Sequence, residues 1–322
     1  MLRGFDAALP RRNATAHGAA ASELVSELRQ TATAHRQSYR YLSHQVLLPQ
    51  ALAHIEAVIS LRPGSYPANV CSPLVETIGE MATLVGALAT LDMRDFQHGG
   101  YYLGLAMNAA KEAGSKDLIA FILGVRAFHA AYGGGSVLDG IDYAEGGVAE
   151  AEATGGASHT TRAWLTAVAS ELHAAAGNDY RSRELLEKSQ ASLTDVQDGE
   201  PPWIGLGTFD NAKLQAYRGG AFNRLGRHRD AQTELRSALN ALPRTALKHR
   251  ATACIDLAEA HLPLREIEET CTWVTHAVEL TAQTRHADSL RRIRSIYKQV
   301  SEVDSKAKCT SQLGEKLLLL AY

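Results

Sequence analysis

The sequence has no excess of one charge. Its 33 Lys and Arg face 35 Asp and Glu, a formal net charge of −2 over 322 residues. A chain so balanced makes no overall electrostatic case for a polyanionic partner, so neither nucleic acid nor an anionic membrane is expected to bind it directly. Cysteine is scarce: Cys71, Cys254, Cys271 and Cys309 form neither a CxxC nor a Cys/His cluster. That argues against a metal site and for free thiols in a reducing compartment. No unbroken apolar run approaches the ~18 residues that span a bilayer. Arg11-Arg12 lacks the apolar stretch that follows a twin-arginine signal. The expectation is a cytoplasmic protein. Prolines number only 9, which leaves long helices free to form, and no alternating strand pattern with turn punctuation occurs.

What is present is apolar residues, 45% of the chain, at helical spacing. In ALKHRATACIDLAEAHL, residues Leu247, Ala251, Cys254, Ala258 and Leu262 share one face. Leu290, Ile293, Tyr297 and Val300 do the same in ADSLRRIRSIYKQV. Breaks are expected at 60–73, 91–95, 131–136, 153–159, 176–179, 198–203, 225–228, 242–245 and 262–265. They divide the chain into roughly a dozen helices with short links, which favours antiparallel hairpins. The brief WIGLGTF after Pro201-Pro202 reads as a connector in which Trp203 closes one end of a groove or caps a helix.

A finer period lies beneath. Over 212–245, small residues Gly219, Ala231 and Ala238 stand where two helices cross, Gly226 at the turn and Pro243 at the end, with Phe222 and Leu235 between. These match positions of the 34-residue tetratricopeptide repeat, a helix–turn–helix unit. The frame transfers with decay to four further windows. Over 251–284 it finds Ala258 and Ala277, with Arg265 and Thr270 at the usual Gly and Ala positions. Over 163–196 it finds Ser170, Gly177, Ser182 and Ser189; over 121–154, Gly135, Gly140 and Gly147; over 80–113, Ala87, Gly99 and Ala106. The expected fold is all-α, a right-handed superhelical solenoid of such antiparallel pairs. Residues 1–18 read as a leader or linker and 19–322 as one array. Within it, 19–70 form N-terminal capping helices, 72–284 the repeats, and 286–322 a C-terminal capping helix and tail.

Three stretches, 76–114, 209–239 and 254–300, resemble the tetratricopeptide portion of actinobacterial helix-turn-helix transcriptional regulators, and the likeness covers about 20–302. The resemblance implies ligand sensing or dimerisation by the array. No helix-turn-helix pattern stands before residue 20, so no direct nucleic-acid binding by this chain is expected.

Motifs for chemistry are weak. Thirteen histidines include no HxxxH or HExxH, and His35, His44 and His54 are spread over two helices. AYGGGSVLDG lacks the strand and Lys-Ser/Thr of a phosphate loop. Cys254 and Cys271, near Glu259 and His261, read as packing thiols rather than nucleophiles. The basic run Arg285, Arg291, Arg292, Arg294 and Lys298 reads as a solvated helix face. In this repeat type the first helix of each pair faces the concave side. The frame therefore nominates Arg126, His129 and Tyr132, then Trp164 and Glu171, then Lys213, Tyr217 and Asn223 as ligand-binding residues. Aromatic surface with mixed charge suits a small molecule or peptide. A regulatory binding or protein-interaction module follows, with a protein partner or homodimer and no catalytic residue, metal or cofactor assigned. The alternative is an enzyme or accessory protein of a secondary-metabolite pathway whose groove is the active site.

Overall fold

The computed structural model describes residues 18–61, 68–153, 156–318 and 320. The leader expected before the array lies outside them, apart from Gly18. Fourteen α-helices occupy the described residues, and no strand appears among them. The chain begins with α1 (Gly18–Ser38), α2 (His44–Ser60) and α3 (Ala68–Ala87), which a π-helical segment (Leu88–Met93) continues. Then come α4 (Phe96–Ala113), α5 (Lys116–Tyr132), α6 (Val137–Glu152), α7 (His159–Ala175) and α8 (Asp179–Thr194). After a long connection follow α9 (Asn211–Arg224), α10 (His228–Ala241), α11 (Leu247–His261) and α12 (Ile267–Thr284), with α13 (Ala287–Val303) and α14 (Lys308–Leu318) at the end.

Six helix starts are written in the sequence. Asp95, Ser115, Ser136, Ser158, Asn178 and Asp210 each accept a hydrogen bond from the backbone N–H three residues on. Each thereby satisfies a donor that the helix cannot. Pro73, placed in a break by the sequence, instead sits inside α3, within its first two turns. As the sixth residue of α3, it lies just past the four N–H groups that lack an intrahelical acceptor, so it costs the helix one early hydrogen bond. The segment Val70–Met93 is long and apolar enough to cross a bilayer although it contains no unbroken apolar run, and 83% of its most apolar window is buried against other helices.

Helices pack as consecutive pairs: α3 with α4, α5 with α6, α7 with α8, α9 with α10, α11 with α12. The first helices also pack on one another in order, α5 on α7, α7 on α9, α9 on α11, α11 on α13. Small residues mark the crossings. A Cβ on Gly219 would lie 2.4 Å from Leu235 Cγ, and Ala231, Ala238, Ala258 and Ala277 are fully buried. Buried Ser170 takes the same role between α7 and α8 by donating to the Ser182 carbonyl at 2.8 Å. The pair turns share a backbone state as well. Arg94, Gly177, Gly226 and Arg265 have φ of 55°, 78°, 74° and 58°, and all four occupy position fifteen of their windows. The arginines hold the left-handed conformation at a cost of about 1 kcal/mol.

The array closes on itself. Asp92, on the π-helical segment, is fully buried and pairs with Lys248 of α11, while His286 Nε2 stands 3.6 Å away. Arg94 donates to Asp288 of α13 at 2.9 Å. The end of α1 spans the gap: Arg36 donates to the Trp203 carbonyl at 3.0 Å, and the Arg36 and Arg40 carbonyls accept from Gly207 and Lys248 N–H groups. Where the sequence suggests a concave groove, the described chain surrounds a central cavity that is partly open to solvent.

Candidate functional site

The cavity measures about 390 Å³. Its wall is built from the first helix of successive pairs, α5, α7, α9 and α11, and from α13. Tyr39, the 90–96 segment and the 203–209 part of the connection complete it, while α6, α8, α10 and α12 contribute no lining residue. Aromatic side chains gather here out of proportion: 2 of 3 Trp, three of 11 Tyr and four of 6 Phe.

One half is an aromatic wall. Phe121 packs against Trp164 with ring centroids 4.7 Å apart and against Trp203 at 5.5 Å. Trp203 leads to Phe209 at 6.2 Å, and Phe209 to Tyr217 at 5.9 Å. Trp164 Nε1 donates to the Tyr217 hydroxyl at 3.2 Å, which fixes both rings. Burial first, and then the Glu171 carboxylate, raises the Tyr217 and Tyr132 hydroxyl pKa values, so both stay protonated.

The other half is charged and nearly all paired. Arg224 donates to Glu171 at 2.7 Å and Tyr132 lies between them, its hydroxyl 3.5 Å from Glu171. Arg292 bonds both Asp256 and Glu259. Arg94 and Arg291 share Asp288. Lys213 differs. Its Nζ lies 5.3 Å over the Tyr217 ring, and among the described residues it forms no ion pair. Burial pulls its ammonium pKa down to about 8, against the opposing pull of Glu171, Asp256 and Asp210.

Five of the eight residues nominated by the repeat frame, Tyr132, Trp164, Glu171, Lys213 and Tyr217, line this one cavity. Arg126, His129 and Asn223 do not. Arg126 donates to the Leu103 carbonyl at 3.2 Å, His129 Nε2 contacts the Phe96 carbonyl at 2.8 Å, and Asn223 spans the Asp256 carbonyl and His228. The reason is rotation of α5: it presents Phe121, Val125, Phe128 and Tyr132 to the cavity and turns Arg126 and His129 toward α4.

Several lining residues escape sequence reasoning. Arg291 and Arg292 look like part of a solvated basic run, yet Arg292 is the centre of a two-carboxylate cluster. Their signal is Asp256 and Glu259, 36 and 33 residues earlier, close to one repeat period. Thr208 and Phe209 come from the connector, which carries no repeat. No cysteine lines the cavity. Burial pushes Cys254 up to about 12, and burial with neighbouring Cys309 does the same to Cys271. His261 is held by Glu266 and Gln232 instead. No group of three or more metal-ligating side chains occurs among the described residues. No protein-family model matches the chain, and no curated protein matches it.

Proposed function

We propose that this chain is a ligand-binding module of the tetratricopeptide kind, a right-handed array of helical pairs that holds a small molecule in its central cavity. One observation carries the reading: first helices from consecutive pairs bring five aromatic side chains and a paired charge network to one pocket, and Tyr39, Phe96, Trp203 and Phe209 bring four more aromatic rings. A volume of about 390 Å³ falls within the ~300–1,000 Å³ of small-molecule sites. It suits a compact molecule better than an extended peptide. The wall draws on both ends of the array, so an occupant ties α5 to α13 and stabilises the closed form. That coupling is how occupancy is passed to a protein partner or a second copy.

Gly220 supplies the test. It lines the cavity, and a Cβ there meets only Asp256 Oδ2 at 3.6 Å, ordinary contact. Gly220→Leu therefore projects a branched side chain into the cavity from a position whose Cβ is tolerated. In a thermal-shift screen of small aromatic molecules, hits should raise the melting temperature of the parent and leave Gly220→Leu unmoved. Equal shifts in both proteins place binding elsewhere. A second reading, an enzyme, is favoured by the lowered Lys213 ammonium alone. Turnover of a bound hit that Lys213→Met abolishes identifies it.

A further inference from the structure

The cavity wall holds donors without acceptors. Six Lys and Arg residues line it, and five are matched: Arg94 and Arg291 by Asp288, Arg224 by Glu171, Lys248 by Asp92, Arg292 by Asp256 and Glu259. Lys213 is the cation left over among the described residues. Two further lining groups share its condition. His249 is only 7% exposed and its Nδ1 has no hydrogen-bond partner, and the buried Trp203 indole N–H has no acceptor. Buried polar groups are rarely left without a partner, because an unmade hydrogen bond carries the full cost of desolvation.

These groups belong to one region. Phe209 packs between Trp203 and Tyr217, and Lys213 Nζ lies over the Tyr217 ring. Burial first, and then the nearby charge of Lys213, holds the His249 imidazole in its neutral state. The placement of Lys213 also works against its own helix. It is the third residue of α9, where its N–H caps onto Asp210. That position favours Glu or Gln in a capping box, and the helix dipole there disfavours a cation. A lysine at this point has no role in forming α9; its charge is directed at the cavity.

Resting on the reading of the cavity as a ligand site, we infer that its ligand is an aromatic anion. A planar ring system lies against Trp203, Phe209 and Tyr217, and one anionic group, carboxylate or similar oxyanion, accepts from Lys213, His249 and the Trp203 indole N–H. An anion supplies the acceptor that all three lack, whereas a cationic ligand would add a second unmatched positive charge.

Two probes with one ring system separate the charge from the rings: 1-anilinonaphthalene-8-sulfonate and its uncharged parent N-phenyl-1-naphthylamine. Fluorescence titration of the full chain should show the sulfonate binding tighter by about tenfold or more, the scale of a charge-assisted hydrogen bond. Lys213→Met should erase that preference and leave the neutral probe's affinity unchanged, while Lys213→Arg keeps it. Gly220→Leu should block both probes. Equal affinity of the parent for both, or a preference that survives Lys213→Met, overturns the anion inference while the cavity reading stands. Failure of both probes to bind, or binding indifferent to Gly220→Leu, removes the cavity reading and the inference with it.

Discussion

Adjacent glycines in α9 face opposite surroundings, and the two separate packing from function. Gly219 meets α10, where an added Cβ would lie 2.4 Å from Leu235 Cγ and 3.3 Å from the Ala231 carbonyl. Leu235 is fully buried and has nowhere to retreat. Gly219→Ala should therefore cost about 1–3 kcal/mol through overpacking, which outweighs the helix-propensity gain of about 1 kcal/mol. Gly220→Ala, whose Cβ meets only ordinary contact with Asp256 Oδ2, should keep that gain and raise stability. Urea melts of the two variants check this, and equal midpoints would contradict it. Trp164 shows the same doubling of roles. Its ring lies where a Cβ on Gly124 would be, 2.4 Å away, so it is a packing wedge as well as cavity wall. Trp164→Ala should lower stability by about 3 kcal/mol. Loss of ligand in that variant alone is therefore not a clean test. At this scale the sequence shows small residues clearly, because an alanine or glycine at a crossing has few other uses. It shows Lys213 and Tyr217 through the repeat frame. It hides the partners of Arg292, which come from another helix pair.

At the scale of elements, the hairpins were readable because breaks between helices carry their own chemistry, Ser, Asn, Asp and Gly at caps and turns. Gly177 and Gly226 announce a left-handed turn, but Arg94 and Arg265 adopt the same φ with no glycine to signal it. The 195–210 connection reads as a bare linker. Its apolar residues have no period, since they follow the cavity rather than a helix. The closure by Asp92 is also invisible in sequence, because Asp92 and Lys248 are 156 positions apart. Both are buried, so removing one leaves the other's charge unmatched. Asp92→Asn or Lys248→Met alone should cost about 3–5 kcal/mol, and the double variant Asp92→Asn/Lys248→Met should cost less than the sum of the two. Melting temperatures of the four proteins measure the coupling; additive losses would show that the pair does not act as a unit.

For the whole molecule, buried histidines set the response to acid. Burial, and then the charge of His35, lowers His54 to about 4, and burial also lowers His35, His44, His249 and His286. A histidine whose folded pKa lies below its unfolded value near 6.5 takes up a proton more readily when the chain is unfolded. Its contribution is thus complete above pH 6.5 and is lost as pH falls toward 4. The melting temperature should drop across that window, and His54→Gln should flatten part of the drop. A profile level from pH 6.5 to 4 would contradict the burial of these rings. Acid then acts against the same closed arrangement that surrounds the cavity, since His249 lines it and His286 stands beside Asp92.

The claim on which the rest depends is that this central cavity holds a molecule. Native mass spectrometry of the parent and of Gly220→Leu, each purified without denaturation from cells that make the chain naturally, measures that directly. The parent should carry a non-covalent adduct of small-molecule mass that is released on collisional activation, and Gly220→Leu, folded and equally stable, should carry none. The same adduct on both proteins, or a bare parent whose melting temperature no aromatic molecule raises, would contradict it.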